Sequence, residues 1–335
     1  MIVEATTPTR IDLAGATLDL YPLYLFLEGG VTDNVAISWY SRVRIETRRD
    51  SEIHLRSTDL NTELVAPSAD QLPVDKQLSL VARVVKFYAP ITGVNVITNN
   101  TAPVGSGIGA SSALLIALSG ALDRLNGTRM DPALLVDYGA HLEAQVIAIP
   151  TGKQDYLAAL YGGVNAFHFH VKGWSREALV TDEEKLRLLE DRIVLSFTGE
   201  PHFSGTNNWN MMKNFMENAP GVRESLTEIG ETAYQMRQAL LAFDIDWVGE
   251  LLDREWQCRK RLAEGVTTPH IEQMVEAAKE AGGLASKIMG AGGGGCMITI
   301  VNEGQRQAVE AALRRTGASV MPFQIDRKGL TVTEL

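Results

Sequence analysis

Cysteine is scarce in this chain, with two thiols among 335 residues, Cys258 and Cys296. They lie far apart in the sequence, so they make neither a metal-ligand spacing nor a disulfide framework. This excludes a small disulfide-rich or zinc-stabilised domain. Two reduced thiols are typical of a cytosolic protein.

Long hydrophobic runs are also lacking. The first residues, MIVEATTPTR, reach a charge at Glu4 without the apolar stretch of a signal peptide. The longest apolar run, Ala113 to Leu122, is interrupted by Ser119 and Gly120 and is too short to span a bilayer. We therefore expect a cytoplasmic protein with no membrane attachment.

Positive charge is in deficit, because 31 lysines and arginines face 41 acidic residues for a net charge of -10. A general nucleic-acid-binding protein normally has a basic surface, so that class is disfavoured. An acidic chain still binds nucleotides where loop amides and a magnesium ion contact the phosphates. Apolar residues make up 45% of the chain, enough for a large core in one or two domains.

Hydrophobic periodicity predicts a mixed α+β protein, with strands dominating the first hundred residues. Strands are expected at Val35–Ile45, Gly93–Ile97, Gly162–His170, Arg192–Ser196, Ala285–Met289, Cys296–Val301 and Ser319–Ile325. Helices are expected at Ala110–Leu125, Pro132–Ile149, about 223–262, Pro269–Ala281 and Gly304–Arg315. The polar stretch Lys172–Arg187 is the best boundary candidate, which divides the chain into domains 1–180 and 181–335.

A glycine-rich segment from Pro103 to Ala113 follows one predicted strand and opens a predicted helix. Its glycines allow the backbone to approach a ligand, and a helix start offers free N–H groups to an anion. The segment contains the candidate phosphate-binding residues Pro103, Gly105, Ser106, Gly107, Ile108, Gly109, Ala110, Ser111 and Ser112. The alternative is a glycine-rich turn with serine caps.

Two better-known phosphate loops do not match this segment. A Walker loop ends in Gly-Lys-Ser/Thr, and no lysine is present here. A dinucleotide fingerprint requires a strand with a terminal acid after the helix, but here Asn126-Gly127 leads to a second predicted helix.

A second glycine segment, Gly290 to Gly295, lies between two predicted strands. A hairpin needs only one or two glycines, and four in a row lose much chain entropy on folding. We interpret the segment as a close approach of backbone to another group. The alternative is a long flexible hairpin.

Near the N-terminus, Arg10 and Asp12 are predicted to share one face of a strand, and a turn at Gly15 leads to Asp19. On their own these charges are equally consistent with a solvated strand edge.

His202 is expected to be a loop residue.

Together the three segments resemble the GHMP kinases, the family of galactokinase, homoserine kinase, mevalonate kinase and phosphomevalonate kinase. The family motif is a proline, a few residues and then Gly-Leu-Gly-Ser-Ser-Ala. Here Pro103 precedes the run from Gly107 to Ala113, in which Ala110 stands before the two serines. The resemblance covers most of the chain. It implies ATP and Mg²⁺ as cofactors and two domains, the first like ribosomal protein S5 and the second a ferredoxin-like α/β domain.

Within the family the chain looks most like bacterial kinases of heptose phosphates, fucose and galactose. The segments Gly152 to Asp155 and Tyr161 to Asn165 are similar to their Gly-Lys-Gln-Asp and Tyr-Gly-Gly-x-Asn motifs. The first motif departs from them, because Ala16-Thr17-Leu18-Asp19 replaces Gly-Gly-Thr-Asp or Glu-His-Thr-Asp. That departure bears on the identity of the substrate.

The resemblance also implies a role for each matching residue. It makes Asp155 the catalytic carboxylate with Arg10 beside it, and it makes Ser112 and Glu143 the magnesium ligands. The implied substrate-binding residues are Asp19, Gly152, Gly292, Gly293 and Gly294. Ser204, Asn207 and Asn208 are further candidates for substrate contact.

The residues themselves are compatible with these roles. Thr151 and Gln154 have capping-box spacing, which predicts a helix start with Asp155 in its first turn. The helix dipole and Arg10 are then expected to lower the pKa of Asp155. Glu143, on a largely apolar helix face, needs a partner that a magnesium ion would supply. The alternative for Asp155 is an ordinary acid at a helix N-terminus, and the alternative for Glu143 is a glutamate at the edge of the apolar face.

These observations predict MgATP-dependent phosphorylation of a hydroxyl on a sugar or sugar phosphate, with the anomeric hydroxyl as one candidate. The substrate is the only partner expected, for a monomer or homodimer without nucleic acid or membrane. One rival is a kinase of mevalonate-type or amino-alcohol substrates. Another is a non-catalytic ligand-sensing protein on the same fold.

Overall fold

The computed structural model describes residues 1–27, 29–201 and 204–335, with the side chains of 204–206 excluded. Its strands are β1 (Ile2–Ala14), β2 (Gly30–Thr47), β3 (Ile53–Ser57), β4 (Thr62–Ala66), β5 (Val94–Asn100), β6 (Val164–His170), β7 (Gly173–Val180), β8 (Ile193–Phe197), β9 (Gly283–Ile288), β10 (Cys296–Val301), β11 (Ser319–Val320) and β12 (Thr331–Glu334). Its helices are α1 (Leu23–Phe26), α2 (Ser79–Tyr88), α3 (Ala110–Asn126), α4 (Pro132–Ile147), α5 (Gln154–Tyr161), α6 (Glu183–Asp191), α7 (Ser204–Met216), α8 (Val222–Ala242), α9 (Ile245–Arg259), α10 (Pro269–Glu280) and α11 (Arg306–Arg315).

Eight of these strands form one sheet, in the order β12-β1-β2-β5-β3-β4, with β6 on β2 and β7 on β6. The long strand β2 pairs through 30–35 with β6 and through 41–47 with β5. Of the pairs in this sheet, β3 with β5 is parallel and the others are antiparallel. The remaining four strands form an antiparallel sheet, β11-β8-β10-β9. The mixed α+β prediction is confirmed.

Strand β1 becomes buried on both faces where it approaches the cleft, and its pairing with β2 is irregular at the same place. Residues 2–6 alternate between partly and fully buried, but every residue from Thr7 to Ala14 is buried. The register with β2 shifts between Pro8 and Thr9, as expected beside a residue that has no N–H to donate. Helices α8 and α9 then cover the second face of the strand. Arg10 and Asp12 are therefore enclosed rather than solvated.

The hydrophobic core has three parts. One lies between α2–α5 and the large sheet, and another lies around Trp256 and Met297 of the second half and includes Leu18 and Leu23 of the first. The third joins the two sheets, because Ile11 and Val35 of the first cluster with Leu195 and Ile298 of the second. Apolar burial is the main stabilising term, so the two halves stabilise each other.

The predicted domain boundary remains a prediction, with two qualifications. The stretch Lys172–Arg187 is not a linker, because it forms β7 of the large sheet and most of α6. Strand β12 also returns from the second half to pair with β1. The charges of Lys172–Arg187 lie on an edge strand and an amphipathic helix, which explains why the sequence resembled a linker.

Most predicted elements are present, but there are several differences. The helical stretch at 223–262 is two helices, since Asp244 caps α9 through the Trp247 N–H. The strand predicted at Ser319–Ile325 is reduced to Ser319–Val320. Helices α1, α2, α6 and α7 and strands β3, β4, β7 and β12 were not individually predicted. None of the helices in the described ranges is long and apolar enough to cross a bilayer.

Candidate functional site

A cleft of about 480 Å³ opens where the first glycine loop meets β1 and the start of α5. Its walls come from both halves of the chain, including Thr17 and Asp155 from the first and Arg259 and Ala291 from the second. A cleft of this volume accommodates a small-molecule ligand.

The first glycine loop lines one side of the cleft and ends at the N-terminus of α3. Gly105, Gly107 and Gly109 all have positive φ angles, which side-chain-bearing residues rarely adopt. Gly109 is the N-cap of α3, and no side chain caps that end. The unpaired N–H groups of the first turn therefore remain available to an anion.

The candidate phosphate residues lie in the cleft wall with one exception. Pro103, Gly105, Ser106, Gly107, Gly109, Ala110, Ser111 and Ser112 all line the cleft. The exception is Ile108, whose side chain is fully buried in the core between the two sheets. Its carbonyl accepts the Arg10 N–H at 3.0 Å, so Ile108 anchors the loop to β1. Buried and partly exposed residues alternate along the loop, and Ile108 occupies one of the buried positions.

Arg10 and Asp155 form an ion pair at the base of the cleft. The Arg10 Nε and Nη2 lie 2.6 Å and 2.5 Å from Asp155 Oδ1, and Nη1 donates to the Gly107 carbonyl at 2.9 Å. The Asp155 side chain is 20% exposed, whereas that of Arg10 is 5% exposed. Arg10 therefore holds the glycine loop and the carboxylate together.

Gly109 is fitted to the Asp155 carboxylate. A Cβ atom at Gly109 would lie 2.9 Å from the Asp155 Cγ. The φ of Gly109 is +80°, so any side chain there would also strain the backbone. The carboxylate can approach the start of α3 only because this position has no side chain.

The pKa of Asp155 is raised, so the expected decrease was wrong in direction. Burial of the carboxylate is the largest influence and raises the pKa, and Arg10 lowers it only in part. The capping box was also wrong. Helix α5 begins at Gln154 with Lys153 as its N-cap, and no side chain caps that position. Asp155 does lie in the first turn, as predicted.

Glu143 and Ser112 lie side by side in the cleft wall. The Glu143 Oε2 accepts from the Ser112 hydroxyl at 2.7 Å and also from the Tyr156 hydroxyl. Glu143 is buried, and burial raises its pKa. In the structure, the partner that the Glu143 carboxylate was expected to need is a pair of hydroxyl groups. Carboxylate and hydroxyl oxygens beside a phosphate-binding loop are also the ligands that Mg²⁺ prefers.

Asp19 lies in the cleft wall, where its carboxylate accepts an N–H from the first residue of α5. The Gln154 N–H donates to Asp19 Oδ2 at 3.0 Å. Burial raises the pKa of Asp19 to about 6. A side chain at Gly152 would collide with this carboxylate. Gly152 thus lines the cleft and allows Asp19 to approach.

The second glycine loop contributes Gly290 and Ala291 to the cleft, whereas the predicted substrate contacts Gly292, Gly293 and Gly294 do not line it. A Cβ at Gly292 would meet the Val266 carbonyl at 2.5 Å, at Gly293 the Gly265 carbonyl at 2.8 Å, and at Gly294 the Glu200 carbonyl at 2.8 Å. These glycines do approach other backbone closely, but that backbone belongs to the protein itself.

The two glycine loops also contact each other directly. The Cys296 N–H donates to the Ser106 carbonyl at 2.7 Å, and a Cβ at Gly295 would lie 2.8 Å from that carbonyl. Asn207 donates to the carbonyls of Gly265 and Gly292, while Asn208 lines the cleft. His202 and the side chain of Ser204 lie outside the described residues.

A buried ionic cluster beneath the cleft was not predicted. The Lys287 Nζ, which is fully buried, lies 2.5 Å from Asp12 Oδ2 and 3.1 Å from Glu255 Oε1. Arg259, also in the cleft wall, lies 3.3 Å from the same Glu255 oxygen. Asp12 in turn lies 3.8 Å from Arg10. The available signal was a charge inside an apolar strand, Ser286-Lys287-Ile288-Met289.

Comparison with known families assigns the chain. The model of the GHMP kinases N terminal domain matches residues 78–163, and that of the GHMP kinases C terminal matches residues 236–319. The chain belongs to the GHMP kinase family. It is accordingly an ATP-dependent kinase, and the first glycine loop and Asp155 lie in the first matched region.

Full-length relatives of this GHMP kinase include enzymes of two substrate classes. It is 26% identical to D-glycero-alpha-D-manno-heptose 7-phosphate kinase of Campylobacter jejuni, with 98% of each chain covered. It is 27% identical to mevalonate kinase of Thermococcus sibiricus, over 100% of this chain and 99% of the relative. The crystal structure of a D-glycero-D-manno-heptose 1-phosphate kinase from Bacteroides thetaiotaomicron has the same fold, with a TM-score of 0.80, 24% identity and 99% coverage of both chains.

Proposed function

We propose that this kinase uses MgATP to phosphorylate a hydroxyl group of a sugar or sugar phosphate of the heptose, fucose or galactose type. The observation that carries the proposal is the Asp155 carboxylate, held by Arg10 against Gly109 at the mouth of the phosphate loop. A carboxylate there can contact an acceptor hydroxyl while the loop holds the phosphates.

The first glycine loop would bind the β- and γ-phosphates of ATP. Its support is the uncapped start of α3 at Gly109, together with Ser106 and Ser111 in the cleft wall. Backbone N–H groups at a helix N-terminus attract phosphate without needing a lysine. This explains how a loop without the Walker lysine can serve a kinase.

Ser112 and Glu143 would hold Mg²⁺. The described residues contain no cluster of three or more His, Cys, Asp or Glu side chains that could bind a metal by itself. One carboxylate and one hydroxyl suit Mg²⁺ bound mainly through substrate phosphates and water. When bound, Mg²⁺ would neutralise charge on the transferring phosphoryl group.

Asp155 would orient the acceptor hydroxyl and take its proton as the oxygen attacks the γ-phosphorus and ADP leaves. Its raised pKa supports this role, because a more basic carboxylate accepts a proton more readily. Arg10 would keep the carboxylate ionised enough to act and fix its position through two contacts on one oxygen. Phosphoryl transfer depends mainly on such positioning and charge neutralisation.

Asp19 would bind hydroxyl groups of the acceptor. It lies in the cleft wall next to Gly152 and close to Asp155 along the start of α5. A buried carboxylate that accepts one N–H still has capacity for sugar hydroxyls. The heptose phosphate kinase of C. jejuni, similar over the full chain, supports the same substrate class.

The test of this function is Asp155→Asn. We expect turnover to fall by about 10²–10⁴-fold, the contribution of a positioned general base, while the affinity for ATP changes little. ADP release measures turnover and calorimetry measures ATP binding. Asp253→Asn serves as the control, because Asp253 is an exposed carboxylate on α9 outside the cleft wall. Unchanged turnover in Asp155→Asn would contradict the assignment.

A second candidate is mevalonate, because a mevalonate kinase is similar over the whole chain. An ADP-release screen over heptose phosphates, fucose, galactose, arabinose, glucuronate and mevalonate separates the candidates. Release with mevalonate alone would replace the sugar class. No acceptor-dependent release with any compound, despite ATP binding, would favour the ligand-sensing alternative.

Three further properties are the location of the enzyme in the cell, its oligomeric state and its domain bounds. We propose a cytoplasmic enzyme, since MgATP is supplied there, and a monomer or homodimer with no macromolecular partner. We also propose domains 1–180 and 181–335, with β12 added to the first by its pairing with β1. Sedimentation of the purified chain measures the oligomeric state.

A further inference from the structure

Two arginines line the cleft, and they differ in how their donors are used. Arg10 uses its Nε, Nη1 and Nη2, with Asp155 and the Gly107 carbonyl as acceptors. Arg259, the last residue of α9, uses Nε and Nη1, but its Nη2 finds no hydrogen-bond partner within the described part of the chain. The Arg259 side chain is 1% exposed. A buried guanidinium nitrogen with two free N–H groups costs free energy unless something accepts from it.

The ion pair with Glu255 does not account for this arginine. Arg259 meets Glu255 through Nε alone, at 3.3 Å, and shares that single oxygen with Lys287. Arginine–carboxylate pairs are frequently bidentate, and this one is not. Glu255 thus leaves the outer edge of the guanidinium free.

On that outer edge Nη1 is held by two groups of the cleft wall, while Nη2 has no partner among the described residues. The Nη1 of Arg259 lies 3.2 Å from the Thr17 hydroxyl and 3.2 Å from the Gly290 carbonyl. Thr17 and Gly290 both line the cleft, as does Arg259 itself. Thr17 is two residues from Asp19, so Arg259 belongs to the acceptor end of the cleft and not to the phosphate loop.

We propose that Arg259 recognises an anionic group, a phosphate or a carboxylate, on the acceptor substrate. Guanidinium is suited to this task because its planar donors match the oxygens of both anions. The inference rests on the proposed function, and it narrows the substrate from sugars in general to those that carry a negative charge. Asp19 binds hydroxyl groups, and Arg259 binds the charged substituent.

Paired acceptors that differ only in charge test the inference. The pairs are D-glycero-D-manno-heptose 7-phosphate with the free heptose, and glucuronate with glucose. We expect the wild-type protein to favour the anionic member of at least one pair by about 10- to 150-fold in kcat/KM, the effect of a hydrogen bond to a charged group. The pair that shows the preference tells phosphate from carboxylate.

Variants assign the preference to Arg259. In Arg259→Gln the ratio of kcat/KM between anionic and neutral acceptors should fall to near one, while Arg259→Lys should keep part of it. Arg261→Gln is the matched control, because Arg261 follows the same helix but is 57% exposed and lies outside the cleft wall. It should keep the wild-type ratio.

Three results would overturn the inference: a wild-type protein that uses neutral and anionic acceptors equally, an unchanged ratio in Arg259→Gln, or an equal loss of ratio in Arg261→Gln. The wild-type comparison decides the matter even if the variants do not fold. If no sugar is phosphorylated, the proposed function fails. Calorimetric binding of the same pairs then decides the inference, with tighter binding of the anionic member as the supporting result and equal binding as the refuting one.

Discussion

The two glycine loops have similar composition but differ in what their backbone approaches. The first, at Gly105–Gly109, leaves its backbone open to the cleft beside an uncapped helix start. The second, at Gly292–Gly295, brings its backbone against Val266, Glu200 and Ser106 of the same chain. A glycine run signals close approach, but only the fold decides whether the approaching group is a ligand or the protein itself.

The buried lysine before the second loop gives the largest expected effect. Lys287→Met would leave Asp12 and Glu255 without their shared cation, and breaking a buried ion pair costs about 3–5 kcal/mol. The free energy of unfolding from denaturant titration measures this loss. Lys213→Met is the control, because Lys213 is 52% exposed and its loss should cost about 0–1 kcal/mol. Equal losses in the two variants would show that the second loop does not depend on this cluster.

Gly109→Ala should reduce turnover. The new Cβ would displace the Asp155 carboxylate, and misplacement of about 1 Å lowers a rate by up to about 10²-fold. The matched control is Gly127→Ala at the other end of α3, which has a positive φ but nothing within 4 Å of its Cβ. It carries the backbone strain without the clash. If both variants keep the wild-type kcat, the first loop does not position the catalytic carboxylate.

Gly292→Ala should destabilise the protein without changing the chemistry. Its φ is +85°, and its Cβ would meet the Val266 carbonyl, so we expect a loss of about 1–3 kcal/mol in unfolding free energy. The kcat of the folded fraction should remain within about twofold of wild type, since Gly292 lies outside the cleft wall. A large fall in kcat at unchanged stability would place the second loop at the substrate after all.

The smallest effect expected is a pH dependence at Asp19. The folded pKa is raised to about 6, so the protein holds this proton more tightly when folded and loses stability as the pH rises. Between about pH 5 and pH 7, the wild-type protein should lose about 1 kcal/mol relative to Asp19→Asn. Denaturant titrations of both proteins across this range measure the difference. A stability difference between the two proteins that stays constant with pH would mean that Asp19 does not titrate in this range. Activity should increase through about pH 6 as Asp19 ionises.

The first loop could be predicted because its information is local. Three alternate glycines, three serines and a helix-forming run begin within about a dozen residues, and each has a direct backbone or capping consequence. The helix at 110–126 and its stop at Gly127 follow from the same local rules. The spacing of Arg10 and Asp12 likewise predicts a shared face on any strand.

The pKa of Asp155 could not be predicted in this way. The dipole and Arg10 are visible in the sequence pattern and both lower the pKa, but the burial that raises it depends on the packing of α5 against β1 and the start of α3. The burial of Lys287 likewise depends on distant packing, because its strand β9 contacts α9, which carries the Glu255 carboxylate of the buried cluster.

The sequence by itself determined the family and the glycine loop at the start of α3, because these depend on short motifs whose backbone chemistry is local. The tertiary structure decided that Gly292–Gly294 pack against the chain and that Ile108 belongs to the core. It also decided that Arg259 meets Thr17 across 242 positions of sequence. Such contacts arise from burial and closure between distant segments, which residue spacing does not encode.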